Sequence, residues 1–156
     1  KRWQRQKEEE MASANRKEVF HSDMETVWEA VTSLEDYAWR SDLDRIEILE
    51  PENPGSASAK NPIHTGMKFR EYTKDGFATT FTITAYEPME RYEFDMENEN
   101  MQGHWIGTFE KITAGARADF TENVKAKKFW MKPFVGIYLR NQQKQYMEDL
   151  RKKLEG

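Results

Sequence analysis

Three histidines, His21, His64 and His104, are the residues of this sequence best suited to proton transfer. An imidazole titrates near neutral pH, so it can donate or accept a proton under ordinary conditions. His104 is the best candidate because it lies in a strand-like segment between two glycines, where it could act as a general acid or base or orient a ligand. Side-chain alternation leaves its direction open: if Trp105 faces the core, His104 faces outward. The simpler alternative is a histidine hydrogen-bonded on the sheet surface.

Glu122 is the second acid–base candidate. It shares the alternation of Phe120 and Val124, so if these apolar residues face inward, a carboxylate also faces the interior. A buried carboxylate needs a partner or a raised pKa. His104 and Glu122 together would supply the two convergent polar groups that a cyclase or dehydratase needs. A position at the rim or at a strand end is the simpler alternative for Glu122.

Metal-dependent and covalent chemistry have little support in the sequence. Cysteine is absent, which excludes a thiolate nucleophile, a thiolate metal site and a disulfide. The histidines do not stand at the spacing of a His-Glu-x-x-His zinc motif. A P-loop, a dinucleotide-binding glycine motif and a nucleophile elbow are also missing. We therefore expect no metal and no cofactor.

Arg40 and a set of aromatic residues are the predicted ligand-binding residues. Arg40 could hold an anionic head group through two hydrogen bonds, unless it forms a surface ion pair with Asp42 or Asp44. The aromatic residues are more numerous than a compact core of this size needs, and ligand pockets are lined mainly by such side chains. The predicted ligand-binding residues are Trp39, Arg40, Phe81, Tyr92, Phe94, Trp105, Phe120, Trp130 and Tyr138.

Length and composition indicate one folded domain. The chain has 156 residues, and its 13% of aromatic residues argue against disorder despite a mean hydropathy of -0.97. A net charge of -4 argues against a general nucleic-acid binder. The sequence contains neither a run of about 18 apolar residues nor a signal peptide, so we expect no stable membrane insertion and a cytoplasmic location.

Apolar spacing predicts α+β architecture, with a meander of short-looped antiparallel strands covered on one face by a long C-terminal helix. An Asp-Gly hairpin turn is expected at 74–76, and Pro133 is tolerated in the first turn of the helix. We expect a charged extension over 1–13 and one domain over 14–156. The predicted elements are a strand at 16–22, a helix at 23–34, a broken helical segment at 35–43, a strand at 44–50, a loop at 51–64, strands between 66 and 127, and a helix at 129–155.

Residues 127–134, just before the long helix, combine lysines with large apolar residues. The favoured interpretation is a helix entry with a hydrophobic anchor. A contact with a membrane surface is the alternative, because basic residues interleaved with aromatic ones are typical of interfacial helices.

Several segments together resemble the START-like superfamily, also called the SRPBCC or birch-pollen-allergen-like superfamily. The resemblance implies a helix-grip fold, in which a curved antiparallel sheet of about six to seven strands wraps around a long C-terminal helix, with a short N-terminal helical pair. A cavity is expected between sheet and helix. The segments that carry the resemblance are Val19–Asp23, Val27–Val31, Tyr37–Asp42, Tyr86–Pro88, Arg91–Phe94, Gly103–Phe109 and the terminal helix.

The resemblance implies three possible functions. The leading one is binding of a small hydrophobic ligand, such as a lipid or polyketide, in the cavity. The alternatives are a cyclase- or dehydratase-like enzyme that uses the same cavity, and a chaperone-activator-like interaction module that acts through its surface. We expect a small hydrophobic molecule as partner, no nucleic acid, and a monomer or weak homodimer.

Overall fold

The computed structural model describes residues 11–49 and 63–156 as a seven-stranded sheet with two α-helices. A 3₁₀ turn precedes the second helix. The elements are β1 (Met11–Phe20), α1 (Met24–Thr32), β2 (Leu43–Ile48), β3 (Lys68–Thr73), β4 (Ala78–Glu87), β5 (Arg91–Glu97), β6 (Met101–Ile112), β7 (Gly115–Ala126), the 3₁₀ turn (Phe129–Met131) and α2 (Lys132–Glu155).

The sheet is antiparallel throughout, with the strand order β1-β7-β6-β5-β4-β3-β2. Strands β2 to β7 form a meander, and β1 joins its far edge beside β7. The predicted Asp75-Gly76 turn joins β3 to β4, and Gly76 has the positive φ of 85° that glycine adopts readily. The long helix α2 packs mainly on β1 and β7 and covers one face of the sheet. The predicted α+β helix-grip fold is confirmed.

The core consists of two apolar clusters on the covered face of the sheet. The larger cluster joins α1 and the C-terminal half of α2 to the sheet, and the Trp28 and Phe109 rings meet there edge to face at 5.0 Å. The smaller cluster packs Val135 and Leu139 of α2 against Val124 of β7. Neither described helix is long and apolar enough to cross a membrane.

The N-terminal region differs from the prediction in two places. β1 begins at Met11 rather than at residue 16, because residues from Met11 onward pair with β7. Helix α1 begins after Asp23, the first residue of the predicted helix, but ends at Thr32, and residues 33–42 form turns. The expected helical pair is therefore a single helix. Of the predicted loop at 51–64, residues 51–62 lie outside the described residues.

Candidate functional site: a cavity between sheet and helix

A cavity of about 200 Å³ lies between the sheet and α2. For comparison, an apolar cavity of about 150 Å³ is large enough to bind benzene. The exposed residues of its lining, Tyr138, Gln142 and Gln145, all belong to α2, so the cavity opens along this helix. The other walls come from α1, from the turns at 33–42 and from the inner faces of β2 to β7.

Aromatic rings form most of the sheet side of the cavity. Phe94 and Trp105 stack in parallel with their ring centroids 4.8 Å apart. Phe81 meets Phe94 edge to face at 5.1 Å, and Phe120 lies 4.8 Å from Trp105. Alternation along antiparallel strands places all these rings on one face of the sheet. The predicted residues that line the cavity are Trp39, Arg40, Phe81, Tyr92, Phe94, Trp105, Phe120 and Tyr138.

Trp130, which is among the predicted ligand-binding residues, does not line the cavity. Its side chain belongs to the 3₁₀ turn before α2 and is 66% exposed. Val135 and Leu139 are the first residues of α2 that are buried in the core, and the 3₁₀ turn before them lies outside it. The predicted helix began at residue 129, whereas residues 129–131 form a 3₁₀ turn and the α-helix begins at Lys132.

Arg40 forms a largely buried ion pair inside the site. Its two terminal nitrogens donate to the two carboxylate oxygens of Glu71 at 2.8 and 3.0 Å, and the guanidinium lies 5.4 Å from the ring centroid of Tyr146. The expected surface pair with Asp42 is secondary, at 3.8 Å, because Glu71 faces the guanidinium from the inner face of β3. Burial lowers the pKa of Arg40, but the charge and hydrogen bonds of Glu71 outweigh it and raise the pKa overall.

The Nε atom of Arg40 is buried and has no hydrogen-bond partner among the described residues. An N–H donor that loses water without gaining a partner costs about 1–3 kcal/mol. Since Arg40 lines the cavity, this donor is available to an acceptor group of a bound molecule.

Asp149 of α2 holds the turn that carries Arg40. Its carboxylate accepts hydrogen bonds from the backbone N–H of Ser41 at 2.9 Å and from the Ser41 hydroxyl at 2.7 Å. Gln145 donates a further bond to it at 2.9 Å. Burial raises the pKa of Asp149, but these hydrogen bonds outweigh it, so its pKa lies below the usual value. Because Ser41 directly follows Arg40, these contacts also fix the backbone next to Arg40 in the wall of the cavity.

Glu122 lies on the inner face of β7 and lines the cavity together with Phe120 and Val124, whose alternation it shares. The residue beside it on the adjacent strand β6 is Trp105. Burial, with a smaller contribution from the negative charge of Glu71, raises the pKa of Glu122 to about 7. None of the side chains that the structure describes forms a hydrogen bond or ion pair with this carboxylate. Glu122 therefore changes protonation near neutral pH inside an aromatic cavity.

His104 faces the opposite side of the sheet, so the predicted catalytic pair of His104 and Glu122 is wrong. Its two ring nitrogens lie 2.7 Å from a carboxylate oxygen of Asp95 and 2.8 Å from one of Glu93. Burial lowers the pKa of His104, but the two carboxylates raise it by more. Because Trp105 points into the cavity, its neighbour His104 must point out.

Glu71 and Gln143 are two polar residues of the site that the sequence analysis did not predict. Glu71 follows Phe69 by two positions, so alternation along β3 could have placed it on the inner face. Gln143 of α2 is buried and donates to the carbonyl of Ala14 at 3.1 Å, a contact that sequence spacing does not indicate. Within the described ranges, no group of three or more His, Cys, Asp or Glu side chains could hold a metal ion.

A curved antiparallel sheet that encloses a cavity against one long C-terminal helix defines a START-like helix-grip protein. The chain belongs to the family described as polyketide cyclase / dehydrase and lipid transport, whose model matches residues 11–155. The resemblance to this superfamily is thereby confirmed. No curated protein sequence matches the chain.

Solved structures share the fold at low sequence identity. A Chromobacterium violaceum protein superposes with a TM-score of 0.69 at 13% identity, covering 92% of this chain and 97% of its own. A START superfamily protein from Mycobacterium smegmatis gives a TM-score of 0.68 at 16% identity, covering 93% and 97%. The di-domain ARO/CYC protein BexL, from the BE-7585A biosynthetic pathway, gives 0.67 at 15% identity, covering 95% of this chain and 51% of its own. At these identities the likeness shows the fold.

Proposed function

We propose that the protein binds a small hydrophobic molecule that carries one polar group, within the cavity between the sheet and α2. The observation that carries the proposal is the unpartnered Nε–H of Arg40 in a cavity walled by aromatic rings. An apolar body would lie against Phe94 and Trp105, and the polar group would accept a hydrogen bond from Arg40. A cytoplasmic location remains part of this proposal.

Glu122 gives the polar end of the cavity a second group that suits a ligand hydroxyl. A carboxyl with a pKa of about 7 is protonated at pH 6, where it donates a hydrogen bond as well as accepting one. An anionic ligand would meet two carboxylates, Glu71 and Glu122, in a cavity whose lining holds a single guanidinium. The charge balance therefore favours a neutral ligand with a hydroxyl or carbonyl group over an organic anion.

The proposal is tested by isothermal titration at pH 6 with two probes of nearly equal size, naphthalene and 2-naphthol. We expect both to bind with 1:1 stoichiometry, and 2-naphthol to bind roughly tenfold more tightly, since one hydrogen bond is worth about 1.5 kcal/mol. Native mass spectrometry of the protein purified from cells would then identify a retained molecule by its mass.

Arg40→Lys is the matched variant, because it keeps the cation opposite Glu71 while removing the Nε–H donor. The preference for 2-naphthol should shrink in this variant, while naphthalene binding stays unchanged. If the wild-type protein binds neither probe, the binding proposal is wrong. Equal affinities for the two probes would refute the role of the polar anchor.

An enzyme that uses the same cavity is the second candidate, and the raised pKa of Glu122 is the observation that favours it. A carboxylate in apolar surroundings is a strong base, and its pKa lies near the pH at which it would work. In this case Glu122 acts as a lone acid–base group, without His104.

The base strength of Glu122 can be tested with 5-nitrobenzisoxazole, whose ring opens when a base removes its C3 proton. The carboxylate takes the proton, the C–H electron pair forms the nitrile, and the N–O bond breaks to give a phenolate. We expect a rate that rises through pH 7 and that is lost in Glu122→Gln. A rate that is unchanged in this variant would contradict the enzyme alternative.

A further inference from the structure

A group of large apolar side chains is exposed at the beginning of α2. We call it the apolar cap: Phe129 is 83% exposed, Trp130 66%, Phe134 63% and Ile137 55%. Isolated exposed apolar residues are common in globular proteins, but three aromatic rings and an isoleucine within nine residues of chain are not. These side chains contribute little to the core, so their exposure calls for another explanation.

The residues of the apolar cap follow one another closely along the chain. Phe134 and Ile137 are three residues apart on α2, which makes them neighbours on the same face of the helix. Phe129 and Trp130 belong to the 3₁₀ turn that leads directly into the first turn of α2. Since an aromatic side chain has about 150–250 Å² of surface, the exposed parts amount to on the order of 500 Å². This is the size of the largest apolar patch on a typical monomeric protein, and such patches are often functional.

The stretch of chain that carries the apolar cap is basic, although the whole protein is acidic. The chain carries a net charge of -4, yet Asp and Glu are absent between Asn123 and Met147. Both Lys127 and Lys128, which directly precede the cap, are exposed, and Lys127 pairs with Glu97 at 2.7 Å. The Lys132 ammonium lies 5.5 Å from the Phe129 ring centroid. The basic residues of this stretch are Lys125, Lys127, Lys128, Lys132, Arg140 and Lys144.

The apolar cap also adjoins the mouth of the cavity. Tyr138 lines the cavity and is 44% exposed, and it lies one helical turn after Phe134. The exposed lining residues all belong to α2, so the mouth and the cap share one side of the molecule. A surface that covers the cap would therefore lie beside the opening.

We propose that the apolar cap docks the protein on an anionic lipid membrane, with the mouth of the cavity beside the bilayer. Aromatic rings enter the headgroup region, while lysines remain at the level of the lipid phosphates. Each lysine near an anionic leaflet adds to the attraction. Two copies of this chain meeting cap to cap would bring two positive stretches together, which opposes association. The proposal goes beyond ligand binding and holds whatever molecule the cavity accepts.

The test is sedimentation of the full chain with vesicles of phosphatidylcholine alone and with 30% phosphatidylserine added. We expect binding to the mixed vesicles that weakens with added salt, and much weaker binding to neutral vesicles. Trp130→Ala should reduce binding to the mixed vesicles roughly tenfold, because a large apolar side chain no longer leaves water. Lys128→Gln combined with Lys132→Gln should reduce it by a further tenfold or more.

The matched control is Lys152→Gln with Lys153→Gln, which removes two lysines from the opposite end of the same helix. It should bind mixed vesicles like the wild type, and all variants should keep the wild-type melting temperature and affinity for 2-naphthol. Binding that is absent, or lost equally in the control, would overturn the proposal while leaving ligand binding intact. A dimer in light scattering that Trp130→Ala dissociates, without vesicle binding, would overturn it in favour of a second copy.

Discussion

Glu122 offers the sharpest test of the site, because the destabilisation of the fold by its buried carboxylate changes with pH by an amount that follows from its pKa. The folded protein raises the pKa of this carboxyl from its ordinary value of 4.5 to about 7. The folded state therefore holds the proton more tightly than the unfolded state does. As pH rises through this window, the unfolded state ionises first, and stability falls. Below pH 4.5 the penalty is absent, and above about pH 7 it is complete.

The size of this penalty follows from the two pKa values. A factor of ten in a protonation equilibrium is worth about 1.4 kcal/mol, so the full penalty above pH 7 is about 3 kcal/mol. Part of it is already present at pH 5, which leaves about 2–3 kcal/mol between pH 5 and pH 8. Glu122→Gln keeps the shape of the side chain and removes the titration. The variant should therefore gain about 2–3 kcal/mol over the wild type as pH is raised from 5 to 8.

Urea denaturation of both proteins at pH 5 and pH 8 measures this difference, because all other titrating groups cancel in the comparison. Glu99→Gln is the matched control, since Glu99 is an exposed carboxylate in the turn between β5 and β6. The change that this control shows between pH 5 and pH 8 is subtracted from the change for Glu122→Gln. A Glu122→Gln change that does not exceed that of the control would refute the argument that burial raises the pKa of Glu122.

Three further predictions concern the ion pair, the cavity and the outer face of the sheet. Arg40→Met should destabilise the fold by about 3–5 kcal/mol in urea denaturation, and Arg40→Met with Glu71→Met should recover most of this, since a lone buried charge is worse than none. Failure of the double variant to recover would contradict this. Thr79→Trp should abolish 2-naphthol binding in titration by filling the cavity, whereas Thr82→Trp, on the outer face, should not; equal binding by both would locate the ligand elsewhere. His104→Gln should destabilise the fold at pH 6, because the protonated ring of the wild type is stabilised by its two carboxylates. This loss of stability should become smaller as pH rises through the raised pKa of His104. A difference in urea midpoint that stays constant from pH 6 to pH 9 would count against this.

Much of the fold could be predicted from local features of the chain. Asp23 accepts a hydrogen bond from the Thr26 N–H at 2.8 Å and caps α1, and Pro133 lies in the first turn of α2. The Asp75-Gly76 turn and the alternation of apolar residues gave the hairpins of the meander. These features were sufficient because caps, turns and alternation act between residues close in sequence.

Only the tertiary structure shows which side chains of β6 and β4 face the cavity. Alternation states that His104 and Trp105 face opposite ways, but only packing of Trp105 against Phe94 and Phe120 selects which one faces inward. In β4 the register with β5 shifts between Ile83 and Ala85, so strict alternation does not extend through the strand. Ala85 consequently does not line the cavity, although it lies four positions after the lining residue Phe81 in the same strand.

The sequence by itself determined the residue types of the site and the order of the elements that hold them. The tertiary structure alone decided which residues meet. Arg40 and Glu71 are separated by 31 residues and are brought together because Asp149 holds the turn at Ser41 against α2. The pKa of Glu122 and the exposure of Trp130 likewise depend on what surrounds each side chain. Burial and long-range contacts are properties of the folded chain, and local spacing does not contain them.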